Sequence, residues 1–274
     1  MAFYAFNFEY DNIPCEKFGL FLISPDANGV ITSTGSGSVE LYTQEVYRRP
    51  TPYLFGTKQS PVLEFDLSFA SFEKIDFYQQ TLIQRWLLGQ SSYKKLKIAQ
   101  IGMSNFYFNC LFTEPTFTNV GNFAYTMTVH AICDSPFAWE EPTVWTTTAT
   151  NSNADGVDLI INNESDLNDY VYPKITVALS NDSTGEFTIT NKSLTYANGN
   201  YETLAMNGLV SNETITIDCD LGIISTNHNA ITNRYKNIVD GSTFLRLKPY
   251  FNTINIKGDC IMTISYQNAR RVSA

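Results

Sequence analysis

Short runs of alternating apolar and polar residues recur along almost the whole chain, each closed by a turn signal. That pattern admits little besides a mainly β protein. Leu63-Glu64-Phe65-Asp66-Leu67-Ser68-Phe69 alternates without a break, the mark of a strand with one buried face. Tyr125-Thr126-Met127-Thr128-Val129 alternates with aromatic and β-branched residues, which suit a pleated, half-buried surface. Further strands are expected at residues 3–10, 18–23, 93–98, 106–112 and 123–133. Pro25-Asp26-Ala27-Asn28-Gly29 supplies the positive φ that a tight turn needs. One stretch departs from this period. Between Glu73 and Leu88, Ile75, Tyr78, Leu82 and Trp86 recur at helical spacing and predict one apolar stripe. Ser71 is its expected N-cap, Glu73 and Asp76 lie in its first turn, and Gly89 stops it. Trp86 on that stripe reads as a core residue.

Composition changes near residue 142. Residues 1–142 hold most of the Phe, whereas Thr, Asn, Ser and Asp dominate beyond Pro142. The polar stretch 146–158 reads as a linker or long loop, dividing the chain into domains 1–142 and 143–274. In the second, strand-like runs at residues 158–161, 174–179, 186–190, 214–219, 243–247, 253–256 and 261–266 alternate with turns such as Asn207-Gly208 and Asp240-Gly241. Short strands at this spacing, with no convincing helix between them, argue for a β-sandwich.

Charge and apolar content exclude several functions. A net charge of −9 argues against a phosphate-binding surface, which needs clustered Lys and Arg. No run approaches the roughly 18 apolar residues of a membrane helix, so membrane insertion is not expected. The start of the chain lacks the basic and apolar segments of a secretion signal, which points to synthesis in a cytoplasm. Cys15, Cys110, Cys133, Cys219 and Cys260 are scattered without a CxxC pair, so reduced, buried thiols are expected.

Chemistry is sparse. Of the two histidines, His130 lies in an alternating strand and His228 in an Asn227-His228-Asn229 turn read as solvated. No Gly-x-Ser-x-Gly elbow accompanies them, so acyl transfer has no support. Asn151-Ser152-Asn153-Ala154-Asp155-Gly156 imitates the start of a calcium loop. Its first ligand is Asn, its twelfth position is Asn162, and no helices flank it, so a polar loop is the better reading. No catalytic, cofactor-binding or metal-ligating residue is nominated. Tyrosines on a sandwich can stack on sugar rings; Tyr196, Tyr201 and Tyr235 are the candidates, with Tyr170, Tyr172 and Tyr250 also in view.

The order of these pieces resembles, nearly end to end, the distal tail protein family of long-tailed, non-contractile bacteriophages. In the first domain the resemblance rests on Phe6-Asn7-Phe8 with Phe18-Gly19-Leu20, residues 63–69, Arg85-Trp86-Leu87-Leu88, Tyr93-Lys94-Lys95-Leu96 and the closing Cys133-Asp134-Ser135-Pro136-Phe137-Ala138-Trp139. In the second it rests on Tyr172-Pro173-Lys174-Ile175, Glu213-Thr214-Ile215-Thr216-Ile217-Asp218-Cys219, and Phe244-Leu245-Arg246-Leu247 with Asn252 and Gly258. The resemblance implies a β-sandwich-like ring domain with one α-helix, then a galectin-like β-sandwich. It implies a homo-hexameric ring at the virion tail tip, joining the tail-tube protein to the tail-associated, tail-tip protein. The second domain is then the anchor for receptor-binding or side-fibre proteins. Such a protein needs no cofactor and is not an enzyme.

Residues 33–38, rich in Gly and Ser, are read as the tip of an arm reaching a neighbour. Arg48, Arg49, Lys94 and Lys95 are the candidate inter-subunit contacts. Two other readings remain open from the residues: a carbohydrate-binding adhesion module acting through the second domain, and a glycan-degrading enzyme using two carboxylates.

Overall fold

Alternation gathers the apolar residues of the first half on one side of a single sheet. In a computed structural model the chain divides into two units, Met1–Glu141 with Arg270–Ala274 and Pro142–Ala269. The structure describes residues 7–23, 39–59, 62–100, 102–120, 123–167, 169–229 and 233–271. Residues 3–6 of the first expected strand, the turn at 25–29 and the segment 33–38 lie outside them.

The strands of the first unit are β1 (Phe8–Tyr10), β2 (Ile13–Pro14), β3 (Leu20–Ile23), β4 (Val39–Gln44), β5 (Tyr53–Gln59), β6 (Glu64–Ile75), β7 (Lys94–Ile98), β8 (Phe106–Val120), β9 (Phe123–Cys133) and β10 (Ala138–Glu140). The main sheet runs β2-β1-β7-β8-β9-β6-β3, with β10 on β8. Its inward positions, among them Phe8, Tyr10, Phe65, Phe69, Phe108, Phe112 and Met127, form one core. The rings interlock: Phe8 stacks on Phe69 with centroids 4.5 Å apart, and Phe18 on Trp86 at 4.6 Å. Trp86 also donates its indole N–H to Tyr10 O at 3.1 Å, which satisfies the one polar group it buries.

The helix α1 (Phe77–Leu88) is shorter than the periodicity predicts, because residues 73–75 complete β6 instead. Asp76, not Ser71, caps it. The Asp76 carboxylate accepts from Gln79 N at 2.8 Å, and the Gln79 side chain accepts from Asp76 N at 3.2 Å, a reciprocal capping box. The buried face is Ile83, Trp86 and Leu87, whereas Tyr78 and Leu82 face solvent. The sequence carries two overlapping apolar stripes here. The strand leading into the helix decides which one meets the sheet.

The second unit holds β11 (Thr143–Ala149), β12 (Val157–Asn163), β13 (Lys174–Leu179), β14 (Phe187–Thr195), β15 (Tyr201–Met206), β16 (Thr214–Asp218), β17 (Ile223–Thr226), β18 (Tyr250–Gly258) and β19 (Cys260–Tyr266). A five-stranded sheet, β11-β19-β13-β16-β17, and a four-stranded one, β12-β18-β14-β15, share one core that includes Ile175, Val177, Ile189, Leu204, Ile254 and Met262. This is a β-sandwich. The ninth strand of the first unit's sheet is β20 (Ala269–Arg270), where the chain returns to that unit at Arg270, whose Nε lies 2.7 Å from Glu140 Oε1.

Residues 146–158 are therefore not a linker. They contain most of β11, a tight turn and the start of β12. Their polarity belongs to the outer face of a sheet. Thr146, Thr263, Thr176, Thr216 and Ser225 stand opposite one another across all five strands. An antiparallel sheet with one solvated face is free to fill that face with hydroxyls. Residues 243–247 form no strand of their own. They run alongside, with Thr243 N donating to Thr203 O and Leu247 bridging Val171.

Candidate functional site

His130 and the five cysteines are engaged in structure. Among the described residues no three His, Cys, Asp or Glu side chains gather as a metal site would require. His130 on β9 sits with Nδ1 2.8 Å from Asp66 and Nε2 3.5 Å from Glu64. The hydrogen bond to Asp66 leads in holding its pKa above the ordinary value. His228 is half-buried rather than solvated. All five cysteines are free and buried. Burial pushes Cys133 and Cys219 up to about 12, far from the thiolate that a nucleophile needs. Cys110 and Cys133 face each other across β8 and β9. Gly156, in the calcium-like segment, has φ +76° and an approach that would put a Cβ 2.6 Å from Ile256 O. A tight turn against β18 explains that glycine without an ion.

The exposed apolar residues of the first unit are more informative. Strands β4 and β5 pair only with each other among the described residues. Their hairpin exposes Leu41, Tyr42, Leu54 and Phe55, with Phe55 at 70 %. Tyr42 pairs with Gly56 and Thr43 with Leu54, so Phe55 is the extra residue of a bulge. The connection carries Tyr47, 87 % exposed, and the two arginines. Arg49 lies over the Tyr53 ring at 3.5 Å and Arg48 over Tyr47 at 5.3 Å. A second apolar surface surrounds the start of α1, where Phe72, Phe77 and Tyr78 are exposed beside a cleft of about 560 Å³ lined by Phe18, Leu82 and Ile83.

The other nominated residues are held within the chain. Lys94 pairs with Asp11 at 3.4 Å. Lys95 pairs with Glu141 at 3.0 Å and lies over Tyr107. Lys97 joins it on Glu141, and the two lysines hold that carboxyl below the usual range. In the second unit the Tyr196 hydroxyl bonds with Thr243 Oγ1 at 2.9 Å and accepts from Thr203 N. The Tyr235 hydroxyl donates to Gly222 O and accepts from Ile224 N. Both phenols pin loops. Tyr201, at the start of β15, is half exposed. Sequence reasoning named no strand at β5. Its signal was the run Tyr53-Leu54-Phe55.

A nine-stranded sheet with one helix, followed by a β-sandwich, is a fold found in solved phage baseplates. The Dit protein of phage SPP1, a paradigm of the hub adsorption apparatus in phages infecting Gram-positive bacteria, superposes with a TM-score of 0.67 at 12% identity, over 96% of this chain and 98% of that one. Chains of the phage P2 baseplate in its activated conformation give 0.50 with Ca, at 9% identity over 91% and 90%, and 0.51 with Sr, at 9% over 94% and 97%. No curated protein matches the sequence. Residues 3–135 match the phage tail protein N-terminal domain and residues 137–266 the phage tail C-terminal domain. The chain belongs to this family of phage tail proteins.

Proposed function

We propose that this tail protein is a hub subunit that assembles head-to-tail, through its first unit, into a closed hexameric ring. The ring joins the tail tube to the tail-tip protein, and the second unit is a bracket for receptor-binding or side-fibre proteins. Made in the host cytoplasm, it works in the virion and catalyses nothing. The exposed β4–β5 hairpin is the observation that carries this reading. An isolated two-stranded hairpin is marginally stable in water, and an apolar one invites pairing with another chain. A ring built by rotation needs two different complementary patches on each subunit. The hairpin and the Phe72–Tyr78 surface beside the cleft are two such patches. In this reading Arg48 and Arg49 contact the neighbour, whereas Lys94 and Lys95 serve their own chain.

Light scattering on the purified protein tests it. The expected mass is that of six chains, falling to one in a Leu54→Ser/Phe55→Ser variant. A single-chain mass at every concentration, with normal tails assembled by that variant, overturns it.

A further inference from the structure

The two thiols that face each other across β8 and β9 are placed as a disulfide would place them. Cys110 and Cys133 are aligned in register, and both are fully buried in the first unit's core. They therefore share one face of the sheet. Cys133 N donates to Leu63 O at 2.9 Å, on the side of β6. The next residue, Asp134, donates its N–H to Asn109 O at 2.9 Å, on the side of β8. Successive residues of an antiparallel strand turn their polar groups to opposite neighbours. Cys110 and Cys133 thus exchange no backbone bond and form the closer, non-hydrogen-bonded kind of pair. Such a pair holds its Cα atoms about 4.5 Å apart, inside the roughly 4.4–6.8 Å that a disulfide spans. Its Cβ atoms lie about 4.5 Å apart, at the upper end of the roughly 3.5–4.5 Å that the bond requires.

The other three cysteines are placed differently. Cys219 N bonds to Pro173 O and Cys260 pairs with Leu179, so these two lie at opposite ends of β13. Cys15 Sγ accepts from Phe8 N at 3.4 Å. Cys110 and Cys133 also feel each other: burial leads in raising the Cys110 pKa, and Cys133 adds to it. Burial keeps thiolates scarce in the closed fold and so protects the pair from oxidants. Exchange waits for the end of β9 to open. Cys133 is the last residue of that strand, and the chain bends away at Asp134. Strand ends open at lower cost than strand centres, and an opened thiol regains an ordinary pKa of about 8.5.

We infer that Cys110 and Cys133 are a latent cross-strand disulfide, reduced when the chain is made and closed by a small-molecule disulfide once the chain leaves a reducing compartment. The thiolate of one cysteine attacks the oxidant's S–S bond, forms a mixed disulfide and expels one small thiolate. The thiolate of the other attacks the protein-bound sulfur, closes the Cys110–Cys133 bond and expels the second. The two protein thiols are oxidised, the oxidant is reduced to two small thiols, and these take up the two protons. Cytoplasms hold thiols reduced, whereas extracellular surroundings let disulfides persist. The timing rests on the reading of a protein made in a cytoplasm and used in a virion; the chemistry does not. The bond would tie the middle of the sheet, where β8 also carries β7 and β10, and β9 also carries β6. It closes residues 110–133 into a covalent loop. That removes freedom from the unfolded chain and stabilises the first unit alone.

The test uses the full chain, purified reduced and then held in excess oxidised glutathione. Remaining thiols are alkylated in denaturant, and peptide mass mapping without reductant locates any bond. One disulfide is expected, joining Cys110 to Cys133, while Cys15, Cys219 and Cys260 are recovered alkylated. It should form severalfold faster at pH 8 than at pH 7, and faster again in urea short of unfolding. Calorimetry of the oxidised chain should show the first unit's transition several degrees above that of the reduced chain, with the second unit's unmoved. Cys133→Ala is expected to lose both the bond and the shift on oxidation, and Cys219→Ala to keep both. Three outcomes overturn the inference: Cys110 and Cys133 both recovered fully alkylated even after oxidation in urea, a bond formed as readily between any other two cysteines, or a cross-linked chain that melts no higher than the reduced one. Mass mapping does not depend on oligomer size, so failure of the hub reading stays distinct.

Discussion

Both units expose large apolar side chains, but they group them differently. In the first unit Leu41, Tyr42, Val46, Tyr47, Tyr53, Leu54 and Phe55 share one hairpin, and Phe72, Phe77 and Tyr78 cluster at the start of α1. In the second, residues such as Val144, Leu221, Val239 and Ile261 sit on separate elements. Scattered apolar residues are ordinary on any surface, whereas contiguous ones mark contact sites. The second unit spreads hydroxyls over its five-stranded sheet and fastens one turn with the side chains of Asn163, Asn191 and Asn252. The first gathers its exposed apolar side chains into two contiguous surfaces, whereas the second spreads most of its own over separate elements.

The sharpest way to break this contrast is to erase the hairpin's apolar surface. Leu54→Ser/Phe55→Ser is expected to abolish the hexamer in light scattering, whereas Val239→Ser and Leu221→Ser in the second unit leave the mass unchanged. Next in size is the second unit's buried ion pair. Arg234 and Glu213 are 3 % and 2 % exposed. Burial alone would raise the Glu213 carboxyl, but Arg234, Thr226 and the Val210 N–H hold it below the usual range. Arg234→Ala strands that charge and should cost roughly 3–5 kcal/mol. Because the two units have separate cores, calorimetry should show only the second unit's transition falling. In the first unit, Asp76→Ala removes the capping box and should cost about 1 kcal/mol, read from urea unfolding.

The smallest effect concerns pH. Asp66, with Glu64, raises the folded-state pKa of His130 above its ordinary value. The stabilisation is complete below the unfolded value near 6.5 and disappears as pH rises through the folded one. The melting temperature of wild type should therefore fall relative to His130→Gln between pH 6 and pH 8, and equal shifts in the two would remove the interaction from the account.

Much of this was legible from local pattern. Leu63, Phe65, Leu67 and Phe69 announce the buried face of β6, and Trp86 announces the core. Residues 146–158 were not legible, because threonine on the wet face of a sheet looks like threonine in a loop. The helix start was not legible either, since Ser71 and Asp76 are equally good caps. The nominated tyrosines were chosen by type alone. Exposure and hydrogen bonding separate Tyr250, 76 % exposed, from Tyr196 and Tyr235, tied down by their hydroxyls.

The sequence by itself determined that this chain is mainly β with one helix and that its cysteines are buried thiols. These follow from periodicity and composition, which act over a few residues. Only the tertiary structure decided that β4 and β5 stand apart, that Lys94 and Lys95 find carboxylates at home, and that Asn163, Asn191 and Asn252 converge on one turn. Those outcomes depend on strand register and on partners as much as 85 residues apart in sequence, such as Asn163 and Lys248. A pattern repeating every two residues chooses the face a side chain takes but not the strand it meets.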